Sequence, residues 1–214
     1  MEQDLAFLIA DLSGYTALTE THGSSWAADL IDKYLHIVQN CLVGNCELKE
    51  RTGDEVMIVS TSPDDLLAAA LNIMQASLSE ENFLQVHGGL HYGKVLKRHN
   101  GYFGSTINVT SRIAAKATPG NFWCSQNFVQ ALSNKTMVKV EPKGMHHLKN
   151  ISGEMELFEI KHEHSVSYFI DPVCRMLIIN TNKAIRHHDA PDIFFCSDAC
   201  HAIYTTRVIP TMNS

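Results

Sequence analysis

The sequence predicts an α+β domain with a largely antiparallel sheet, followed by a small cysteine-rich C-terminal module. A buried strand comes first, then an amphipathic helix, then two strands separated by a Gly-Asp turn signal. A second helix and strand complete the order β-α-β-β-α-β, with additional hairpins after it. This order is of the ferredoxin-like kind. No glycine-rich turn opens a helix after the first strand, which argues against a dinucleotide-binding sheet.

The elements of the domain follow from apolar periodicity and turn signals. Residues 5–10 form a continuous apolar run that is expected to end as a strand at Asp11. Residues 26–43 carry apolar side chains at steps of three and four, typical of a helix. A further helix is capped by Ser62 and continues to about residue 78. The other predicted elements are helices at 105–117 and 127–132, and strands at 47–51, 56–60, 83–96, 122–125, 137–140, 146–148 and 156–160.

A polar stretch at 161–165 is expected to separate two units, a domain at 1–162 and a module at 163–214. The module has only about 50 residues, which is too few for a comfortable apolar core. A structural metal ion that stabilises the fold of the module is therefore expected.

The composition is that of a globular chain with a modest negative charge. Of 214 residues, 45% are apolar, and the formal net charge is -6. This charge gives no general reason to bind nucleic acid or an anionic membrane. The chain lacks a basic secretory start, and no apolar run approaches the roughly 20 residues that span a bilayer. A cytoplasmic protein is expected.

Four segments of the domain follow one another in a distinctive order and spacing. They are FLIADLSGYT at 7–16, RTGDE at 51–55, YFGSTINVTSR at 102–112 and LKNI at 148–151. Together they resemble the catalytic domain of class III adenylate/guanylate cyclases, over residues 1 to about 160. The resemblance implies an intracellular signalling enzyme with a nucleoside triphosphate substrate. It would convert ATP or GTP to a 3′,5′-cyclic nucleotide and pyrophosphate.

Asp11 and Asp54 are the metal ligands that the resemblance implies. Mg²⁺ and Mn²⁺ prefer carboxylate oxygens, and two ions per active site can activate the ribose 3′-hydroxyl and neutralise the triphosphate. In the family the two strands are neighbours, so both carboxylates reach one metal pair. Taken alone, Asp11 is more typical of a helix cap and Asp54 of a plain Gly-Asp turn. The four segments together favour metal ligation.

Asn108 and Arg112 are the predicted catalytic residues. They lie four residues apart on a predicted helix and so share a face. The resemblance implies that Asn108 orients the ribose and that Arg112 meets the phosphate charge of the transition state, for which a fixed guanidinium is suited. The alternative is a solvated helix face. Lys149 matches a lysine that contacts the triphosphate, although Asn150 replaces the usual glycine.

Three predicted substrate-binding positions depart from the family pattern. Glu50 stands where adenylate cyclases usually carry a lysine, and a carboxylate there favours guanine. Gly101 offers no side chain at the second base-selecting position, and His87 replaces a phosphate-contacting cation. Lys49 or Arg51 could substitute as the donor, but strand alternation is expected to point their side chains to the opposite face from Glu50 or to its flank. ATP, GTP and a pyrimidine triphosphate all stay open.

The family builds its active site between two subunits, with the aspartates from one and the asparagine and arginine from the other. The resemblance therefore implies a homodimer with two equivalent sites. Two alternatives to an active enzyme stay open. One is a degenerate domain that binds nucleotide as a regulator. The other is a metal or redox sensor whose larger domain mainly dimerises.

The C-terminal module contains three cysteines in the pattern Cys-x21-Cys-x3-Cys, at Cys174, Cys196 and Cys200. DPVCRM at 171–176 and FFCSDAC at 194–200 resemble the YHS domain, a relative of TRASH-type metal-binding modules. Three thiolates suit Zn²⁺ or Cu⁺. Apolar packing of the cysteines is the alternative. The candidates for a fourth ligand are three histidines of the module: His187, His188 and His201.

Overall fold

The first apolar run of the chain forms an inner strand of a large sheet, and helices pack on both faces. A computed structural model describes residues 1–98, 101–135, 138–162 and 167–208. The larger domain contains β1 (Glu2–Ser13), α1 (Tyr15–His22), α2 (Ser24–Cys41), β2 (Glu47–Thr52), β3 (Glu55–Ser60), α3 (Pro63–Leu78), β4 (Gln85–Arg98), β5 (Gly101–Phe103), α4 (Ser105–Ala114), β6 (Phe122–Ser125), α5 (Gln126–Ala131), β7 (Lys139–His147) and β8 (Glu154–Lys161). The C-terminal segment contains β9 (Phe169–Ile170), β10 (Leu177–Ile178), β11 (Ile185–Arg186), β12 (Phe194–Phe195) and α6 (Asp198–Val208).

The main sheet is mixed but largely antiparallel, as the sequence predicts. Within the described residues it has eight strands, in the order β2-β3-β1-β4-β6-β8-β7, with β5 paired to β4. The pairing of β4 with β6 is parallel, and the other pairs are antiparallel. No helix in the described ranges is both long and apolar enough to cross a bilayer.

Alternation along β1 divides the core between the two faces of the sheet. Ala6, Leu8, Ala10 and Leu12 pack in the main core with residues of α2 and α3. Leu5, Phe7 and Ile9 pack on the opposite face with residues of β3 and β4. Asp11 follows Leu5, Phe7 and Ile9 in the same alternation, so its carboxylate lies on this second face of the sheet.

Gly89 of β4 lets α4 lie directly on the second face. A Cβ atom at this position would be 2.3 Å from the backbone nitrogen of Ala114 and 2.7 Å from the carbonyl oxygen of Thr110. Only a residue without a side chain permits this approach of helix and strand. The glycine thereby fixes the distance of the predicted catalytic helix from the sheet.

Several predicted boundaries differ from the observed ones. β1 continues past Asp11 to Ser13, because its pairing with β4 extends to Gln85. The helix predicted at 105–117 ends at Ala114. The strands predicted at 137–140 and 146–148 are one strand, β7, with an irregular register between Pro142 and Gly144. Met137 lies outside the described residues.

The C-terminal segment packs against the larger domain instead of standing apart. Its buried residues Cys174, Met176 and Leu177 belong to the same hydrophobic cluster as the helices α2 and α3. The backbone N–H of Leu177 donates to the carbonyl oxygen of Phe83 over 2.7 Å. Sharing a core supplies the apolar burial that so short a segment cannot provide alone. The predicted start of the module at residue 163 lies outside the described residues.

Candidate active site and cysteine cluster

Two carboxyl groups meet where β1 approaches the β2–β3 turn. Ala10 of β1 is paired with Val56 of β3, so Asp11 lies one residue beyond this pair. Asp54 occupies the turn that joins β2 to β3. The antiparallel pairing brings the two carboxyl groups within hydrogen-bonding range of each other. The predicted metal ligands are therefore neighbours.

The environment of this pair favours a divalent cation. Burial raises the pKa of Asp11, and burial together with the Asp11 carboxylate raises the pKa of Asp54 to about 6. Asp11 Oδ1 is buried and has no hydrogen-bond partner among the described residues. Glu55 adds a third negative charge. A Mg²⁺ or Mn²⁺ ion would satisfy the orphaned oxygen and remove the repulsion, so the residues present fit such an ion.

His87 adjoins the carboxylate pair. It is the register partner of Asp11 on β4, and its Nδ1 lies 2.9 Å from Ser13 Oγ. Burial lowers the pKa of His87, although Asp11 and Asp54 oppose this shift. The ring is therefore neutral at pH 7. It is better suited to hydrogen bonding than to the cationic role that its place in the family pattern implies.

Tyr34 and Glu55 also belong to this environment, and sequence reasoning missed both. Tyr34 is fully buried, and its hydroxyl has no hydrogen-bond partner among the described residues. Burial and then the charges of Asp11, Asp54 and Glu55 raise the pKa of Tyr34 well above its usual value. The tyrosine fits the helical periodicity of α2, which gave no signal of a role near the carboxylates.

Asn108 and Arg112 lie on α4, as predicted. Asn108 is exposed and Arg112 is half-buried. Asn108 lines a groove together with Ile9 and Glu50, and neither aspartate of the pair is among the described residues that line it. Lys149 is exposed in the turn after β7, where Asn150 adopts a φ of 64°. This left-handed backbone explains why the family pattern has glycine at that position.

A cavity of about 620 Å³ contains both predicted base-selecting positions. Glu50 and Gly101 line it, and so does Lys49. Lys49 therefore does not point to the opposite face from Glu50, which was one of the two expected orientations. The register of β2 against β3 shifts between Leu48 and Glu50, and such a bulge interrupts the alternation of side chains. A cation and a carboxylate therefore face the same space.

The three cysteines of the C-terminal segment come together, and the histidine beside them comes from α1. His22, Cys174, Cys196 and Cys200 form a cluster of potential ligand atoms. Sequence reasoning missed His22, because α1 was not predicted and lies far away in the chain.

The three histidines proposed from the sequence have other neighbours. The ring of His187 lies against Phe195, Tyr204 and His201, and His188 faces Asp189 at 2.9 Å. None of the three belongs to the cluster within the described residues. Among the described residues, the histidine beside the three sulfurs is His22.

Comparison with known families decides the relationship of the larger domain. The model of the adenylate and guanylate cyclase catalytic domain matches residues 2–162. The chain belongs to this cyclase family. The match ends at residue 162, within the polar stretch at 161–165.

Curated relatives of the cyclase domain are mycobacterial and other bacterial proteins. An uncharacterized protein of Mycobacterium tuberculosis is 37% identical over 112 residues, which cover 52% of this chain and 30% of that protein. A pH-sensitive adenylate cyclase of the same species is 26% identical over 155 residues, covering 71% of this chain and 39% of the relative. The cyclase chain thus spans about a third of the length of these relatives.

Solved structures confirm the mixed α+β cyclase fold. An adenylate cyclase of Trypanosoma brucei in its monomeric state superposes with a TM-score of 0.71 at 18% identity, covering 83% of this chain and 93% of that chain. The guanylate cyclase domain of RhGC from Catenaria anguillulae, in complex with GTP, gives a TM-score of 0.64 at 18% identity, covering 76% and 99%. At these identities the likeness concerns the fold.

Proposed function

We propose that this chain is a nucleotide cyclase that converts a nucleoside triphosphate to a 3′,5′-cyclic nucleotide and pyrophosphate. The observation that supports it best is the pair of Asp11 and Asp54 on a cyclase fold. Their carboxyl groups are close together and partly desolvated, and Asp11 Oδ1 is buried without a hydrogen-bond partner among the residues that the structure describes. Burying two neighbouring carboxylates costs free energy of folding. A carboxylate that only caps a helix or closes a turn does not require such burial.

The reaction assigns a separate task to each residue. The ribose 3′-oxygen loses its proton to solvent and attacks the α-phosphorus, and pyrophosphate leaves as the bond from the α-phosphorus to the bridging oxygen of the β-phosphate breaks. Asp11 and Asp54 would hold two Mg²⁺ or Mn²⁺ ions, which would supply charge neutralisation and activation of the hydroxyl. Asn108 orients the ribose, and Arg112 stabilises the charge that develops on the α-phosphoryl oxygens. Lys149 contacts the triphosphate.

The active form is proposed to be a homodimer with two shared sites. Asn108 faces a groove that the two aspartates do not line within one chain. A second copy related by a twofold axis would bring its Asn108 and Arg112 to the aspartates of the first, and the reverse. A crystal structure of the guanylyl cyclase domain of a Blastocladiella emersonii fusion protein is described as a non-canonical dimer, so it supports self-association of such domains and not this particular arrangement.

ATP is the proposed main substrate, with GTP second. The bulge in β2 places Lys49 in the cavity with Glu50, so a donor for adenine is present despite the carboxylate. Two relatives, from Mycobacterium tuberculosis and Glutamicibacter nicotianae, carry the name adenylate cyclase. Lys49 pairs with Glu47, and an exposed ion pair of this kind is weak enough to open for a ligand.

The C-terminal segment is proposed to be a metal-binding module of the YHS kind, with Cys174, Cys196 and Cys200 as thiolate ligands. The three free cysteines converge although 21 residues separate the first two. Such convergence of thiols is typical of Zn²⁺ or Cu⁺ sites.

One assay tests the cyclase proposal. The protein is incubated with Mn²⁺ and, separately, with ATP, GTP, CTP and UTP, and the 3′,5′-cyclic product is measured by chromatography. We expect cyclic AMP as the main product and its loss in Asp54→Asn. Asp32→Asn, at an exposed position of α2, is the matched control and should remain active. Nucleotide binding without any cyclic product would instead support the degenerate regulatory domain.

A further inference from the structure

His22 of α1 reaches the three cysteine sulfurs of the C-terminal segment. Cys196 Sγ lies 3.5 Å from Cys174 Sγ, 3.5 Å from Cys200 Sγ and 3.5 Å from His22 Nε2. Cys200 Sγ lies 3.8 Å from His22 Nε2. All four ligand atoms lie within 4.8 Å of one another.

These distances match the edges of a tetrahedral zinc site. Bonds of about 2.3 Å to sulfur and about 2.0 Å to nitrogen require about 3.8 Å between two sulfurs and about 3.5 Å between sulfur and nitrogen. The four distances given above agree with these values to within about 0.3 Å, and the two remaining edges are no longer than 4.8 Å. A disulfide, in contrast, needs its sulfurs about 2.05 Å apart. The cluster therefore has the spacing of ligands around one ion.

The surroundings hold the ligands in place. Cys174 and Cys200 are fully buried, whereas Cys196 and His22 are half-buried. The carboxylate of Asp171, itself fully buried, accepts hydrogen bonds from the backbone N–H groups of Cys174 at 3.2 Å and Cys196 at 2.8 Å. This one side chain fixes both cysteine loops relative to each other. Four protein ligands in a largely buried shell are typical of a structural rather than a catalytic zinc site.

The C-terminal segment contacts the larger domain at a second point. Arg175, next to Cys174, lies over Gly14, where an added Cβ would be 2.4 Å from the Arg175 Cβ. Gly14 is three residues beyond Asp11 and directly precedes α1, while His22 is the last residue of α1. Contacts from the C-terminal segment therefore reach both ends of this helix.

We propose that His22, Cys174, Cys196 and Cys200 bind one Zn²⁺ ion that joins the C-terminal segment to α1 of the cyclase domain. This site rests on the proposed metal binding by the three cysteines and does not depend on cyclase activity. The ion fastens the end of the helix that follows Asp11. The histidine that completes the site belongs to the cyclase domain, so the module is not a self-contained metal carrier.

The test measures zinc on the full chain, purified under reducing conditions. Bound Zn²⁺ is counted by mass spectrometry, its affinity is measured against a chelator, and Co²⁺ replacement reports the ligands by visible absorption. We expect one tightly bound Zn²⁺ per wild-type chain and a tetrahedral Co²⁺ spectrum. His22→Ala should weaken Zn²⁺ binding at least about tenfold and change the spectrum. His22→Cys should restore affinity with stronger sulfur-to-cobalt absorption. His201→Ala and His188→Ala are controls and should match the wild type.

Hydrogen exchange supplies a readout of the link to α1. Amide exchange in residues 15–22 should slow about tenfold when Zn²⁺ is added to stripped wild-type protein, and should not slow in His22→Ala. Asp54→Asn should retain the Zn²⁺ ion, which excludes the aspartate pair as its site.

Two contrary results are distinguishable. A wild-type chain that binds no Zn²⁺ would overturn the shared zinc site, and failure to bind Cu⁺ as well would overturn the proposed three-cysteine module. A chain that binds Zn²⁺ equally well with His22→Ala, with unchanged Co²⁺ absorption and helix exchange, would overturn the shared site alone.

Discussion

His87 lies directly opposite Asp11 across the antiparallel pair of β1 and β4, and its Nδ1 is 2.9 Å from Ser13 Oγ. Side chains of such a pair point to the same face of the sheet, so a half-buried imidazole flanks the carboxylates. Because burial lowers the pKa of His87, the ring is a neutral hydrogen-bonding group near pH 7. A neutral His87 ring can orient the metal site by hydrogen bonding. Attraction of a phosphate group would instead require a charged ring.

Replacing His87 by a neutral hydrogen-bonding residue should preserve most of the activity. We expect His87→Gln to change the KM for the triphosphate by less than about threefold, because little charge is lost at pH 7. His87→Ala should lower kcat about tenfold, since the Ser13 contact disappears. Steady-state kinetics at pH 7 measures both. An increase in KM of tenfold or more in His87→Gln would instead assign the ring a cationic phosphate contact.

Metal-free protein should lose stability as the pH rises from about 4 to about 6. The pKa of Asp54 is raised from 3.8 to about 6 in the folded state, so the folded chain binds more protons than the unfolded chain between these values. Ionisation of the buried pair then opposes folding, and Mn²⁺ should restore the lost stability. Thermal unfolding of chelator-treated protein across this range measures the effect. Asp54→Asn should flatten the dependence; an unchanged slope in that variant would contradict the assignment.

Two inactive variants should complement each other if the active site is shared. Asp54→Asn and Arg112→Ala are each expected to lose at least about a hundredfold in kcat. Mixed in equal amounts and allowed to exchange subunits, half of the dimers are heterodimers, and each contains one intact site. The mixture should recover about a quarter of the wild-type activity. A mixture no more active than its components, with exchange verified by labelled subunits, would exclude shared sites.

Lys49 and Glu50 should have opposite effects on base preference. Lys49→Ala is expected to lower kcat/KM for ATP about tenfold with little change for GTP, because the lost donor serves adenine. Glu50→Ala should leave ATP turnover nearly unchanged and reduce residual GTP turnover. Parallel kinetics with both nucleotides measures the ratio. Equal losses for ATP and GTP in Lys49→Ala would show that this lysine does not read the base.

Gly14→Ala should destabilise the protein by more than backbone strain alone. The φ of 97° costs an alanine about 1 kcal/mol, and its Cβ would also collide with Arg175. Gly153→Ala, at a φ of 78° with nothing within 4 Å, measures the strain without the collision. We expect the Gly14 variant to lose about 1–2 kcal/mol more than this control in urea unfolding. Arg175→Gly should recover part of that excess; identical losses in both glycine variants would disprove the contact.

The sequence predicts the elements that depend on local pattern. The apolar run of β1, the periodic apolar residues of α2 and the capped start of α3 are all present, because burial and capping act within a few residues. The extra length of β1 was not predictable, since Asp11, Leu12 and Ser13 belong to the strand only through pairing with β4. Asp11 and Asp54 belong to two separate sequence motifs, and they are neighbours in the fold.

Other features depend on contacts between distant segments. The bulge in β2 that turns Lys49 into the cavity is a matter of register, and no local propensity encodes it. The choice of His22 over His187, His188 and His201 depends on how α1 meets a segment about 150 residues later in the chain.

The sequence by itself determined the cyclase family, the paired aspartates, the predicted catalytic helix and the three clustered cysteines. Each is carried by residue type and spacing along the chain. Only the tertiary structure decided which groups share a site. It set Lys49 beside Glu50 and His22 beside the cysteines, because strand register and the packing of the C-terminal segment on α1 fix distances that sequence separation does not specify.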